Sequence, residues 1–267
     1  MNNPFTNPVA ASRAVLIEAL GVLGAFRSSL VLIGGWVPEL RLPGKGHPGS
    51  IDVDLAVDTR TLPPGPYATL CHCLTTAGYQ RGSAPNVFLR EIEGTSTRIP
   101  VKLDLVGGQY AGSREAQFSQ RAQELHIAAL RGIDIALDSC DEIRIDGERP
   151  DRVLDSVVAR TATLESFVCM KAFALAERQK KKDAYDIYFC LRHGDLDAMS
   201  AALSSMKENG LVREAINHLA DKFRTIDYAG PVDAAQVAEE NGEDFEQARR
   251  AAFELMRLLL ERVGTSV

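Results

Sequence analysis

The chain has 267 residues, 45% of them hydrophobic and 25% charged, which is the composition of an ordinary globular protein. This length suffices for one large domain or two modest ones, and no apolar run reaches the eighteen or so residues that a membrane span needs. The net charge of −6 argues against a broadly basic surface that coats nucleic acid, although a local basic groove is compatible with it.

The N-terminus and the cysteines predict a cytoplasmic protein. Residues 1–5 lack a basic segment followed by an apolar stretch, so no secretion signal is expected. The five cysteines are an odd number, and Cys71-His72-Cys73 is too tight for an ordinary structural zinc pair. We therefore expect reduced thiols.

The first 108 residues predict helices alternating with strands. Helices are expected at 11–27 and 67–77, a brief helical turn at 36–42, and strands at 30–33, 51–57, 87–92 and 98–106. Glycine and proline mark 43–49 as a loop, and 59–66 is a proline-rich connection. This order suits a small mixed sheet with helices on one side.

The second half of the chain predicts mainly helices. Short strands are expected at 133–137 and 142–145, followed by helices at 151–160, 164–177, 184–192, 196–207, 211–223 and 233–260. The change in character near Pro150 predicts a domain boundary between residues 140 and 160. The expected fold class is α+β, with a sheet domain at 1–150 and a helical domain at 151–267.

The most informative pattern lies in the strand predicted at 51–57. Asp52 and Asp54 alternate with apolar residues there, so they share one face with Cα atoms about 6.6 Å apart. A carboxylate pair on a rigid strand can hold hard divalent cations, and two metals about 4 Å apart suit phosphoryl chemistry. The same pattern is also typical of a solvated strand face. The neighbouring motifs must therefore distinguish a metal site from an ordinary surface strand.

Two further features support a functional interpretation. Gly34 and Gly35 end the preceding strand, and without Cβ atoms they would let phosphate oxygens approach the backbone, although a tight turn without a ligand would look the same. Asp104 lies on a later strand and shares a face with Lys102.

A glycine pair, an Asp-x-Asp strand and a later aspartate resemble the nucleotidyltransferase superfamily related to DNA polymerase beta. Downstream, Lys171 and Arg178 lie seven residues apart, before Lys182-Asp183-Ala184-Tyr185-Asp186-Ile187-Tyr188. This part resembles the AbiEii branch, the nucleotidyltransferase toxins of type IV toxin–antitoxin systems. The resemblance covers about residues 30–192 and implies a polymerase-beta-like domain at 1–150, followed by a helical region that contributes Lys171 and Asp183 to the site.

The resemblance also implies the role of each matching residue. Asp52, Asp54 and Asp104 would hold Mg²⁺ or Mn²⁺, while Gly34, Gly35, Ser50, Lys171 and Arg178 would bind the nucleotide phosphates. Asp183 matches the fourth-motif carboxylate that orients the lysine or the acceptor, and it could equally cap a helix.

The sequence departs from the family pattern in front of Ser50. The family often has an arginine two residues earlier, where this chain has Pro48, which puts phosphate contacts from this loop in question. Lys45 or His47 could supply the missing charge, but an exposed loop histidine is the simpler expectation for His47.

Arg178 and Lys180, Lys181 and Lys182 form the one dense basic run. Such a run is usually a solvated surface, and the alternative is a contact with an RNA backbone beside the active site. The family resemblance favours an RNA acceptor.

The leading hypothesis is therefore an Mg²⁺-dependent nucleotidyltransferase that acts as a toxin. It would transfer NMP from a nucleoside triphosphate to an RNA 3′ end such as that of tRNA, and a cognate antitoxin would be its protein partner. One alternative is transfer to a small molecule, as in aminoglycoside nucleotidyltransferases. Another is a binding protein that keeps the fold without catalysis.

Overall fold

The computed structural model describes residues 5–62, 66–109, 127–178 and 180–265. The chain divides into two compact units. Unit 1 contains Met1–Leu40 and Pro48–Ala162, and unit 2 contains Arg41–His47 and Thr163–Val267. Among the described helices, none combines the length and the hydrophobicity that crossing a bilayer requires.

Unit 1 is built around one mixed sheet. Its helices are α1 (Pro8–Val22), a 3-10 helix (Gly24–Ser29), α2 (Trp36–Arg41, whose last residue clusters with unit 2), α3 (Pro66–Thr76) and α4 (Ile133–Asp138). Its strands are β1 (Leu30–Ile33), β2 (Asp52–Val57), β3 (Gln80–Arg81), β4 (Val87–Glu93), β5 (Arg98–Gly108), β6 (Ala128–Leu130), β7 (Cys140–Glu148) and β8 (Leu154–Ala162). The strands run in the order β3-β4-β5-β2-β1-β8-β7, and β6 pairs with β5.

Strand β2 lies in the middle of this sheet because it pairs on both sides. It runs antiparallel to β1 and parallel to β5. Val53 and Leu55 on β2, and Leu103 and Leu105 on β5, are all fully buried, and burying each such side chain contributes about 2 kcal/mol. One face of the two strands is therefore fixed in the core, which leaves their polar residues on the other face.

Unit 2 is helical in all its described elements. They are α5 (Leu164–Glu177), α6 (Lys181–His193), α7 (Leu196–Ser205), α8 (Gly210–Lys222), α9 (Ala229–Glu240) and α10 (Phe245–Val263). Thr163 begins α5 by accepting a hydrogen bond from the Ser166 backbone, and Asp195 begins α7 in the same way. The helix expected at 233–260 is two helices, since Gly242 adopts a φ of 88° between them.

Two predicted elements have the wrong type. Residues 151–160 were expected to be helical, but residues 154–160 belong to β8, whose nine residues pair with β7 and carry the sheet beyond residue 150. The apolar residues of this segment follow helical spacing, but its valines also suit a strand, and the pairing with β7 decides in favour of the strand. Residues 133–137 were expected to form a strand but belong to α4, because a short apolar run does not distinguish the two.

The other predictions agree with the structure to within a few residues, apart from the predicted opening helix, which ends at Val22 and continues as the 3-10 helix. The helix expected at 164–177 has those bounds, and β4 and β5 contain the predicted strands. Of the predicted connection at 59–66, residues 63–65 lie outside the described residues.

Candidate active site

Four charged side chains form a compact block on the open face of β2 and β5. In the parallel register, Asp52 pairs with Lys102 and Asp54 with Asp104. Paired residues of neighbouring strands point to the same face, with Cα atoms about 5 Å apart. We call these four residues the carboxylate block. The sheet thus brings together the three predicted metal ligands, and it adds a lysine.

Lys102 neutralises part of this negative charge. Its Nζ lies 2.6 Å from Oδ2 of Asp104, and the side chain of Asp104 is only 17% exposed. Burial lowers the pKa of Lys102, but Asp104, Asp52 and Asp54 outweigh that effect, so its pKa is raised. Lys102 is therefore a fixed positive charge among three carboxylates.

Gly34 is required by the position of the Asp54 side chain. It follows β1 with a φ of 73°, and a Cβ atom there would lie 2.1 Å from Oδ2 of Asp54. The left-handed backbone and the close carboxylate both exclude a side chain at this position. The turn after β1 thus packs directly against one of the predicted metal ligands.

Gly35 faces the serine that precedes the acidic strand. A Cβ atom at Gly35 would lie 3.2 Å from Oγ of Ser50, and this Oγ accepts a hydrogen bond of 3.3 Å from the backbone N–H of Asp52. The two glycines, Ser50 and the carboxylate block are therefore contiguous within unit 1. The sequence analysis assigned phosphate binding to these two glycines and to Ser50, and that role stays a prediction.

The carboxylate block has the chemistry of a divalent-cation site. Oδ1 of Asp104 is buried without a hydrogen-bond partner among the described residues, which is a position for a cation or a donor. Carboxylate oxygens on rigid strands are ligands that Mg²⁺ and Mn²⁺ accept. Among the described residues, no three His, Cys, Asp or Glu side chains are already arranged around a metal position, and Lys102 occupies the other oxygen of Asp104. The oxygen donors of the block therefore suit a divalent ion in their chemistry, and Lys102 occupies one of the oxygens that would hold it.

A second group of charged residues lies in unit 2 and is centred on two aspartates of α6. Asp183 and Asp186 are one helical turn apart, and both are almost completely buried. We call them, together with the four basic residues that contact them, the helical charge network. Those basic residues are His47, Lys171, Arg178 and Lys182.

Lys171 joins the two aspartates. Its Nζ lies 2.7 Å from Oδ1 of Asp183 and 2.7 Å from Oδ2 of Asp186. Burial lowers the pKa of Lys171, but the two carboxylates raise it by more than burial lowers it. The pKa is therefore raised, and the ammonium stays charged. Lys171 lies in an apolar helix segment, and these two ion pairs compensate for the burial of its ammonium.

Both aspartates stay ionised for the same reason. Burial acts to raise their pKa values, but Arg178 and Lys171 lower the pKa of Asp183, and Lys171, His47 and Lys182 lower that of Asp186. Two carboxylates thus contact three permanent cations as well as His47. The helical charge network carries an excess of positive charge.

The expectation that His47 is an exposed loop residue is wrong. Its side chain is fully buried, and its Nε2 lies 3.1 Å from Oδ1 of Asp186. The ring packs edge-on against Phe189, with ring centroids 4.9 Å apart. His47 thus contacts α6, which belongs to the same unit.

The basic run has mixed environments. Arg178 forms a two-point contact with Asp183, at 2.8 and 3.0 Å, and Lys182 binds Asp186 at 2.8 Å. Lys180 precedes α6 and Lys181 begins it, and both side chains are exposed. Within this run, Lys180 and Lys181 are therefore the residues best placed to meet a polyanion.

The sequence did not predict the ion pairs that Lys102, Asp186 and His47 form. Lys102 was detectable, because it alternates with Asp104 on a strand that also carries a predicted ligand. Asp186 follows Asp183 by one helical turn, which is a weaker signal. No local signal indicates the partner of His47, which is 139 residues away.

Comparison with known proteins gives one family. Residues 49–262 match the model of "Nucleotidyl transferase AbiEii toxin, Type IV TA system". Among solved structures, the chain is similar to "putative nucleotidyltransferase from H. pylori", with 12% identity, a TM-score of 0.41, and coverage of 94% of this chain and 96% of that one. Comparison with curated proteins gave no match.

Proposed function

Because the chain belongs to the AbiEii family of nucleotidyltransferase toxins of type IV toxin–antitoxin systems, we propose that it transfers NMP from a nucleoside triphosphate to an RNA 3′ end with the help of Mg²⁺ or Mn²⁺. The observation that carries this proposal is the in-register pairing of Asp54 with Asp104 beside the Gly34 turn. It supports a phosphate-binding side and a carboxylate side in one unit.

Unit 1 would bind the triphosphate and the metal. We assign Asp52, Asp54 and Asp104 as the ligands of the divalent ion, which when bound would neutralise phosphate oxygens and favour attack at the α-phosphorus. The backbone at Gly34 and Gly35 and the hydroxyl of Ser50 would contact the phosphates. Pro48 replaces the family arginine, so backbone donors have a larger share of phosphate binding in this assignment.

In the reaction, an oxygen of the acceptor hydroxyl forms a bond to the α-phosphorus, and the bond from that phosphorus to the bridging oxygen of the β-phosphate breaks. Pyrophosphate leaves, and the hydroxyl proton passes to a carboxylate. Asp104 is the assigned acceptor, because its Oδ1 is buried without a hydrogen-bond partner among the described residues.

Unit 2 would contribute positive charge. Lys171 and Arg178 are assigned to binding of the anionic substrate, and Asp183 to holding both of them in place. Lys180, Lys181 and Lys182 are assigned to contact with the RNA backbone. A tRNA acceptor suits a toxin that inhibits translation, and a cognate antitoxin would then be the protein partner.

The test is transfer of label from each α-³²P nucleoside triphosphate to total RNA, with Mg²⁺ or Mn²⁺. We expect label on a tRNA-sized band, and a loss of at least about a hundred-fold in Asp54→Asn at an unchanged melting temperature. Labelling of an aminoglycoside but not of RNA would reassign the acceptor, and the absence of transfer to either would refute the proposal.

A further inference from the structure

Lys102 is unusual within unit 1. It is the single lysine in the sequence of Met1–Leu40 and Pro48–Ala162, where the other basic side chains are arginines and histidines. A lysine carries a compact charge that can approach one carboxylate oxygen, whereas an arginine carries a wide, planar fork. Lys102 occupies the position at which the positive charge faces three aspartates.

The ammonium of Lys102 interacts with all three aspartates of the carboxylate block, as a bound cation would. Its ammonium lies 2.6 Å from Oδ2 of Asp104, and Asp52 and Asp54 also act on it electrostatically. Three carboxylates against one ammonium leave an excess of negative charge, which still attracts a divalent ion. That ion would share Asp104 with a positive charge within a few ångströms.

We propose that Lys102 is a resident counter-cation of the carboxylate block, which holds Asp104 and lowers the affinity of the block for a free divalent ion. The proposal rests on the proposed function in that it uses the same three carboxylates. As a consequence, the block resists filling by a metal alone, and the negative charge of a bound triphosphate compensates for the ammonium. Lys102 is thus a positioning residue for the reaction.

The physical basis is charge repulsion at short range. A positive charge that shares a carboxylate with a divalent ion would oppose the binding of that ion, and partial burial reduces the screening by water. The side chain of Lys102 is 41% exposed, so screening reduces the effect without removing it. Removing the charge while keeping the apolar stem should therefore strengthen metal binding.

The experiment measures the binding of Mn²⁺ alone to the full chain, by electron paramagnetic resonance of the free ion. We expect Lys102→Met to bind Mn²⁺ about ten-fold more tightly than the wild type, and Lys102→Arg to stay close to it. Lys207→Met, which removes an exposed lysine from unit 2, is the matched control and should leave the affinity unchanged. Lys102→Gln repeats the test with a polar side chain, in case the methionine variant folds poorly.

An unchanged or weaker affinity in both Lys102→Met and Lys102→Gln would overturn the proposal, since Lys102 would then only orient Asp104. Tighter binding that persists when Asp54→Asn is added would also overturn it, because the ion would lie elsewhere. The label-transfer assay is independent of this readout. If the Lys102 variants bind Mn²⁺ more tightly but the wild type transfers no label, the role of Lys102 as counter-cation is supported and the proposed function is refuted. If the wild type transfers label but the variants do not bind Mn²⁺ more tightly, the proposed function is supported and the role of Lys102 is refuted.

Discussion

Lys171 shows how a single residue can combine structural and functional roles. Its ammonium joins two buried carboxylates at 2.7 Å each, so the helix that carries it is also held to α6. These two ion pairs stabilise the fold, and this alone is a sufficient reason for a lysine at position 171. Any contribution to substrate binding therefore adds to a structural role.

Lys171→Met should destabilise the protein by about 3 kcal/mol, because it leaves Asp183 and Asp186 buried with one cation fewer. Denaturant unfolding measures this loss, and Lys207→Met is the control for removing an exposed lysine. Equal unfolding free energies for Lys171→Met and the wild type would show that the network contributes nothing to stability.

Gly34 allows a sharper residue-scale prediction, because Gly44 has the same φ of 73° with open space around its Cβ position. Alanine should cost about 1 kcal/mol at either position through backbone strain. Only Gly34→Ala adds a clash with Asp54, so it should be the less stable variant and should lose label transfer. Thermal melts and the transfer assay compare the two, and similar behaviour would argue against a close contact between Gly34 and Asp54.

At the scale of elements, helix α6 carries both aspartates of the helical charge network on one side. Their pKa values are lowered in the folded state, against the effect of burial. A group whose pKa is lowered by folding stabilises the protein above its unfolded pKa, which is about 4 for aspartate. This contribution disappears as the pH falls through the folded values.

We therefore expect the free energy of unfolding of the wild type to fall steeply below about pH 4. In Asp186→Asn, the free energy of unfolding should fall by about 2 kcal/mol less than in the wild type over the same pH range. Urea unfolding at several pH values measures both slopes. Asp197→Asn, at an exposed position of α7, is the matched control and should keep the wild-type slope. The same slope in all three proteins would contradict the role assigned to Asp186.

For the molecule as a whole, charge is unevenly distributed. The sequence carries a net charge of −6, while the helical charge network and the exposed Lys180 and Lys181 are positive. Association with RNA would then depend on a local surface and weaken with salt, as phosphate contacts do.

Lys180→Ala/Lys181→Ala should weaken RNA binding and reduce the slope of log affinity against log salt by about 1.4, which is roughly 0.7 for each phosphate contact with a single strand. Fluorescence anisotropy over a salt series measures this slope. Lys207→Ala/Arg213→Ala removes the same charge elsewhere in unit 2 and should leave the slope unchanged. A parallel loss in both double variants would indicate an effect of net charge alone.

The sequence by itself determined the elements with strong local signals and the positions of the family motifs. The alternation in β2 places Asp52 and Asp54 on one face, and the apolar spacing of α5 gives its bounds. These features depend only on residues a few positions apart in the chain, because the spacing of residues along a strand or a helix sets the direction in which each side chain points.

Only the tertiary structure decided the partners of these residues. The contact of Lys102 with Asp104 depends on how β5 lies in the sheet, and the burial of His47 depends on Asp186, 139 residues away. Residues 154–160, which were expected to be helical, form a strand for the same reason, since β7 supplies their pairing partners. Periodicity specifies which side of an element a residue occupies, but packing between distant segments determines which charge it meets there.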